Sequence, residues 1–196
     1  MRYFLINKPY GCLSQFSAVE GKKTLADYFK VPRDVYPVGR LDHDSEGLLL
    51  LTNDKTLNHR LLDPGFAHER EYWVQVDGAI TGEAIAQLQS GVIINIDGKA
   101  HHTLPCRAMV FETAPPVPDR DPPIRFRKEI PSPWIRMILT EGKNRQVRRM
   151  TAKAGFPTLR LIRYRIEQLE LGKMQPGEII ELSENTIRKK LFYDAH

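Results

Sequence analysis

The chain has 196 residues, 41% hydrophobic and 27% charged, with a net charge of +5. This composition excludes a mostly disordered chain, and no apolar run approaches the roughly 18 residues of a membrane span. The N-terminal apolar stretch is too short for a signal peptide and is broken by Lys8, while two distant cysteines, Cys12 and Cys106, exclude a disulfide scaffold and a thiolate zinc site and fit the reducing cytoplasm.

Residues 2–7 read as a strand ended by the turn Pro9-Tyr10-Gly11. A short helix capped by Thr24 is expected over 24–29, and 35–38 is strand-like. A polar, glycine-bounded loop over 39–47 leads to a buried strand over 48–52. Asn53 or Asp54 then caps a helix ending near Leu62, before Pro64-Gly65. Residues 71–77 alternate, with Tyr72, Val74 and Val76 on one face, as in a half-buried strand. A helix follows over 81–89, with Ile85 and Leu88 inward and Gly91 past its end. Strands are expected at 92–96 and 106–112, with His101-His102 in a solvated turn between them. Seven prolines mark 114–133 as a long loop or linker. A strand over 134–140, a helix over 144–154 and two short strands within 158–171 follow, then one over 178–182. Strands outnumber helices, so the class is α+β with a large sheet.

Two segments carry candidate chemistry. The first is Gly39-Arg40-Leu41-Asp42-His43-Asp44-Ser45-Glu46-Gly47, whose glycines allow a close backbone approach to a ligand. A calcium loop does not fit, because its twelfth position is Asn53 and its second half is an apolar strand. A plain acidic turn remains open on these residues. The second is Glu141-Gly142-Lys143-Asn144-Arg145-Gln146-Val147-Arg148-Arg149-Met150. With Asn144 as the N-cap, Val147, Met150, Thr151 and Ala154 share one arc of a helix, and Arg145, Arg148 and Arg149 share the other. Such a guanidinium face suits phosphates, although a solvated basic face is the other reading. Residues 120–165 carry thirteen Lys or Arg against three acids, a net +10, which leaves −5 for the rest of the chain. Phe126, Trp134, Phe156 and Tyr164 interleave with these cations, a pattern that favours RNA over a membrane surface.

At these residues the chain resembles a pseudouridine synthase of the RsuA family. The matching pieces, in the family's order, are Asn7-Lys8-Pro9, Gly39-Arg40-Leu41-Asp42 with Asp44-Ser45-Glu46-Gly47-Leu48-Leu49, and the Tyr72 strand. Residues 141–150, Leu159-Arg160-Leu161-Ile162-Arg163 and Pro176-Gly177-Glu178 complete the set. The resemblance implies isomerisation of a uridine in rRNA, and Pro122-Pro123-Ile124-Arg125 with the run from Thr151 to Tyr164 favours 23S rRNA near the peptidyl-transferase region. It implies Asp42 as the catalytic nucleophile, on a base flipped out of its stack. Arg148 is expected to pair with Asp42, Arg40 to contact RNA or fill the gap left by the base, and Tyr72 to stack on the uracil. Leu139, Lys143, Asn144, Arg145 and Arg149 complete the expected substrate-binding set. The implied fold is a mixed, mostly antiparallel sheet with helices, in two subdomains flanking a central cleft, grouped as 1–65 with 134–165 and 66–133 with 166–190. No cofactor or metal is implied; the partner is rRNA or a pre-ribosomal particle, and the chain is expected to be a cytoplasmic monomer.

Two departures stand out. Many relatives begin with a small RNA-binding S4 domain, whereas here the catalytic strand begins at Met1, so targeting is expected to rest on the basic segment. Arg70 stands where a lysine often precedes the tyrosine, which keeps the charge. The competing class is a noncatalytic RNA-binding or ribosome-assembly protein on the same fold, which has no need of a carboxylate facing RNA phosphates.

Overall fold

A computed structural model describes residues 1–124 and 129–192. In chain order it contains β1 (Tyr3–Lys8), β2 (Cys12–Leu13), β3 (Lys23–Thr24), β4 (Tyr36–Pro37), β5 (Glu46–Thr52) and α1 (Lys55–Leu62). Next come β6 (Arg70–Val76), α2 (Gly82–Ser90), β7 (Ile93–Ile96), β8 (Lys99–His102), β9 (Arg107–Val110) and β10 (Trp134–Leu139). The chain ends with α3 (Gln146–Lys153), β11 (Thr158–Ile166), β12 (Leu169–Glu170), β13 (Ile179–Leu182) and α4 (Glu184–Leu191). The class is α+β, and it divides into two compact units: residues 1–68 with 162–196, and residues 69–161.

In unit 1, β1 lies between β13 and β5, antiparallel to both. Both β1 and β5 are buried along their whole length, which explains a run of four leucines (48–51) where a half-exposed strand would alternate. Leu49 and Leu51 pack with Phe4, Ile6, Leu25, Phe29 and Val35; each such side chain contributes about 2 kcal/mol on leaving water. β5 also pairs with β4, antiparallel, and with β11, parallel, through Ile162↔Glu46 and Arg163↔Gly47. Asp54 caps α1 by accepting from the Leu57 N–H at 3.0 Å and also accepts from the Tyr3 hydroxyl at 2.9 Å. α4 is an element the sequence reading does not anticipate. Ser183 caps it, accepting from the Thr186 N–H at 3.1 Å, and Ile187 and Leu191, one turn apart, are buried.

In unit 2, β6, β10 and β9 form an antiparallel ladder in which Tyr72 faces Met137 and Val74 faces Ile135. Val74, Val76, Ile135, Met137 and Leu139 share one core with Leu88 of α2 and with Val147 and Met150 of α3. β7 and β8 form a separate hairpin, with His101 opposite Ile94.

Several expectations are corrected. β10 belongs with the middle of the chain because its whole length pairs with β6, and the end of the chain belongs with its start because β13 pairs with β1; the 1–65/134–165 grouping therefore does not hold. β5 begins two residues early, at Glu46, while residues 158–171 hold the two expected strands, β11 and β12, the first of them nine residues long. His101 and His102 lie on β8, not in a turn. α3 starts at Gln146, and its N-cap is Arg145 in a left-handed conformation (φ 51°), not Asn144. Arg125, Phe126, Arg127, Lys128 and His196 lie outside the described residues.

Candidate active site

In unit 1, Asp42 opens a tight turn: the Ser45 N–H donates to the Asp42 carbonyl at 3.0 Å, and β5 begins at the next residue. An aspartate suits the first position of such a turn. Asp42 is half-buried and Arg40 is exposed. The bounding glycines sit close against the protein's own atoms. A Cβ on Gly47 (φ +106°) would sit 2.4 Å from the Arg163 carbonyl oxygen, and one on Gly39 (φ +69°) would sit 2.9 Å from Leu62 Cδ2. The Arg163 side chain is buried as well, donating from Nε to the Leu48 carbonyl at 2.8 Å.

The segment before the turn is buried against a cation. Lys8 is fully buried, and its ammonium donates to the carbonyls of Cys12 (2.6 Å) and Pro9 (3.0 Å). Burial pushes its pKa down to about 8, opposed by Cys12 and by the acidic side chains of Glu46, Asp44 and Asp42. Lys8 is thus a cation set among the acids of the 42–46 turn. Burial also raises both thiols, Cys106 to about 11, which makes them poor nucleophiles.

In unit 2, the loop from Glu141 to Arg149 is stitched together by its own polar groups. Glu141 Oε1 accepts from the Leu104 N–H (2.7 Å) and from Gln146 Nε2 (2.6 Å), while Oε2 meets His101 Nε2 at 3.1 Å. Gln146 Oε1 accepts from the Lys143 N–H at 2.9 Å. Arg149 donates to the Asn144 carbonyl and to Asn144 Oδ1 (both 3.1 Å), and to the Asn95 carbonyl of β7. Asn144 therefore does not cap the helix because its side-chain oxygen serves Arg149. A left-handed non-glycine residue costs about 1–2 kcal/mol, and this network holds Arg145 in that conformation. Lys143, Asn144 and Arg145 stand exposed; Arg148 and Arg149 are half-buried.

The expected residues thus fall into two sets. Arg40 and Asp42 belong to unit 1, and Tyr72, Leu139, Lys143, Asn144, Arg145, Arg148 and Arg149 belong to unit 2. Within unit 2, Tyr72 packs at the edge of the core that holds Leu139 and the inner face of α3, so one scaffold carries the tyrosine and the arginine helix. Leu139, expected at the substrate, is a core residue at 2% exposure. Arg160 and Arg163 of the basic segment are buried too, with Arg160 over the Trp134 ring at 5.8 Å. Sequence reasoning missed Ser14, Glu141, Gln146 and His101 as structural partners. Only Glu141, the last acid before a long basic run, carried a signal. Among the described residues, no three His, Cys, Asp or Glu side chains gather where they could hold a metal ion, and no helix is long and apolar enough to cross a membrane.

This arrangement has close counterparts. The family model for RNA pseudouridylate synthase matches residues 2–153. A ribosomal large subunit pseudouridine synthase E of Vibrio parahaemolyticus is 49% identical over 181 residues, covering 92% of this chain and 74% of that protein. A protein of the same name from Xanthomonas axonopodis pv. citri is 51% identical over 174 residues, covering 88% and 89%. Among solved structures, one described as a pseudouridylate synthase superposes with a TM-score of 0.79 at 25% identity, over 97% of this chain and 74% of that one. The turn at Asp42, the Tyr72 strand and the arginine helix all lie inside the stretch that the family model spans, and the chain belongs to the RNA pseudouridylate synthase family.

Proposed function

We propose that the chain converts a uridine of large-subunit rRNA, 23S rRNA near the peptidyl-transferase region, to pseudouridine, acting as a cytoplasmic monomer. The observation that carries this reading is the identity of about half over roughly nine-tenths of the chain to relatives named large subunit synthase E. In the reaction the C1′–N1 bond breaks, the uracil turns, C5 bonds to C1′, the proton on C5 leaves and N1 takes up a proton, so that the product is an isomer of the substrate. Asp42 supplies the nucleophile and must be ionised to do so. Its place in a tight turn between two fixed flanks supports that role, since a carboxylate in a defined position loses little orientational freedom on attack. Tyr72 offers its ring to the flipped uracil. Arg148 acts with Asp42 in the chemical step, and Arg40, Lys143, Asn144, Arg145 and Arg149 meet the RNA backbone. Leu139 backs this surface from the core. The residues named supply nucleophile, stacking and charge without a metal or cofactor.

Carbodiimide mapping of rRNA from cells with and without the gene tests this reading. One pseudouridine of 23S rRNA disappears in the deletion and returns with the wild-type gene. An unchanged map contradicts it and leaves a noncatalytic RNA-binding role.

A further inference from the structure

Three hydrogen bonds fix the backbone on either side of Asp42, and all come from residues 11–14. On the near side, the Ser14 hydroxyl donates to the Leu41 carbonyl at 2.7 Å and accepts from the Leu41 N–H at 3.0 Å. On the far side, the Gly11 N–H donates to the His43 carbonyl at 2.9 Å. Ser14 is buried, so water is not at hand to replace either bond. The same short segment is anchored beneath by the Lys8 ammonium on the Cys12 carbonyl, and beyond by the Leu25 N–H on the Gln15 carbonyl at 2.9 Å.

A single hydroxyl that satisfies both the donor and the acceptor of one residue leaves the two peptide planes flanking that residue little freedom to rotate. Rotation about the backbone at Leu41 swings the Cα–Cβ bond of Asp42, from which the carboxylate extends. We propose that Ser14 is a positioning residue for the isomerisation: its hydroxyl locks Leu41 and so sets the direction in which Asp42 points. The inference rests on the reading of Asp42 as the nucleophile. Ser14 does not touch RNA in this account. Its removal displaces the reacting carboxylate without altering the cationic groups that bind the substrate.

The test is a set of folded variants assayed in single turnover at saturating RNA, with RNA affinity measured separately. Ser14→Ala slows pseudouridine formation about 10- to 100-fold, the loss that a displacement of about 1 Å brings to a reacting group. Its RNA affinity stays within about twofold of wild type, and amide exchange at Leu41 accelerates. Ser14→Thr, which keeps the hydroxyl, restores most of the rate. If Ser14→Ala does not fold, Ser14→Cys, a weaker hydrogen-bonding isostere, decides by the same criterion. Asp42→Asn is run beside them. A wild-type rate in the Ser14 variant with an inactive Asp42→Asn overturns the positioning role alone. An active Asp42→Asn overturns the assignment of the nucleophile on which it rests. A rate loss matched by an equal loss of RNA affinity also overturns the proposal, because a general structural role gives that pattern.

Discussion

The turn bearing Asp42 in unit 1 is held by neutral hydrogen bonds from one hydroxyl and one backbone amide, with a single buried ammonium beneath. The loop bearing Lys143, Asn144 and Arg145 in unit 2 is held instead by charged side chains of its own motif, Glu141 and Arg149, with Gln146 between them. The Asp42 turn is fixed through its backbone on both flanks, which suits the proposed role of its carboxylate. The 141–149 loop uses an inward acid to hold itself and keeps Lys143 and Arg145 outside, which suits the proposed binding of a polyanion. A motif of ten residues is therefore not ten ligand contacts: Glu141, Gln146 and Arg149 build the loop and Val147 and Met150 fill the core, while Lys143 and Arg145 face outward.

The variants that test this contrast are ordered by expected effect. Asp42→Asn lowers the single-turnover rate by about 10³-fold or more, as loss of a covalent nucleophile does, with urea unfolding unchanged; a smaller loss weakens the distinction between the two loops. Gly47→Ala puts a methyl group against the Arg163 backbone at a positive φ. It destabilises unit 1 by about 3 kcal/mol, read from the urea midpoint. Arg148→Ala lowers the rate about 10- to 100-fold, whereas Lys153→Ala, at the far end of α3, leaves it near wild type; equal effects remove the special role of Arg148.

Glu141→Gln separates two views of that acid. If Glu141 were merely a negative charge beside bound RNA, its neutralisation would tighten binding. As a strut, its loss lowers stability by about 1–2 kcal/mol and brings no gain in affinity in a filter-binding assay.

The smallest effect concerns pH. The Lys8 pKa is lowered in the folded state, to about 8 from 10.5. The unfolded chain therefore binds the extra proton between these values, and folding stability from this group rises with pH across that window. The difference in unfolding free energy between wild type and Lys8→Met should grow as pH rises from 8 to 9.5. Differencing the two proteins removes the opposing contribution of the raised thiols. A flat difference shows that the charge on Lys8 does not change there.

Much of this was legible in the sequence, where local chemistry is decisive. The four-leucine strand, the Asp54 cap of α1, the alternation around Tyr72 and the Gly91 stop of α2 all follow from patterns spanning a few residues. The failures share a cause, namely partners distant in sequence. Asn144 has the right side chain for a cap, but Arg149 claims it. Gly39 and Gly47 looked like ligand-facing glycines, yet the space beside them is filled by Leu62 and by Arg163, the latter more than a hundred residues away. His101 looked solvated because nothing near it in sequence announces Glu141. Ser14, 27 residues before Leu41, carries no local signal at all.

In the proposed reaction the Asp42 turn supplies chemistry and the exposed cations of the 141–149 loop supply binding. The most direct test of this division sets Asp42→Asn beside the double variant Lys143→Ala/Arg145→Ala and measures, on one rRNA fragment, the single-turnover rate at saturation and the dissociation constant at two salt concentrations. The account predicts a lost rate with wild-type affinity and salt slope for the first. For the second it predicts a rate within a few-fold of wild type, weakened binding and a salt slope shallower by about two. Pseudouridine formation by Asp42→Asn, or equal losses of rate and affinity in both proteins, would contradict it.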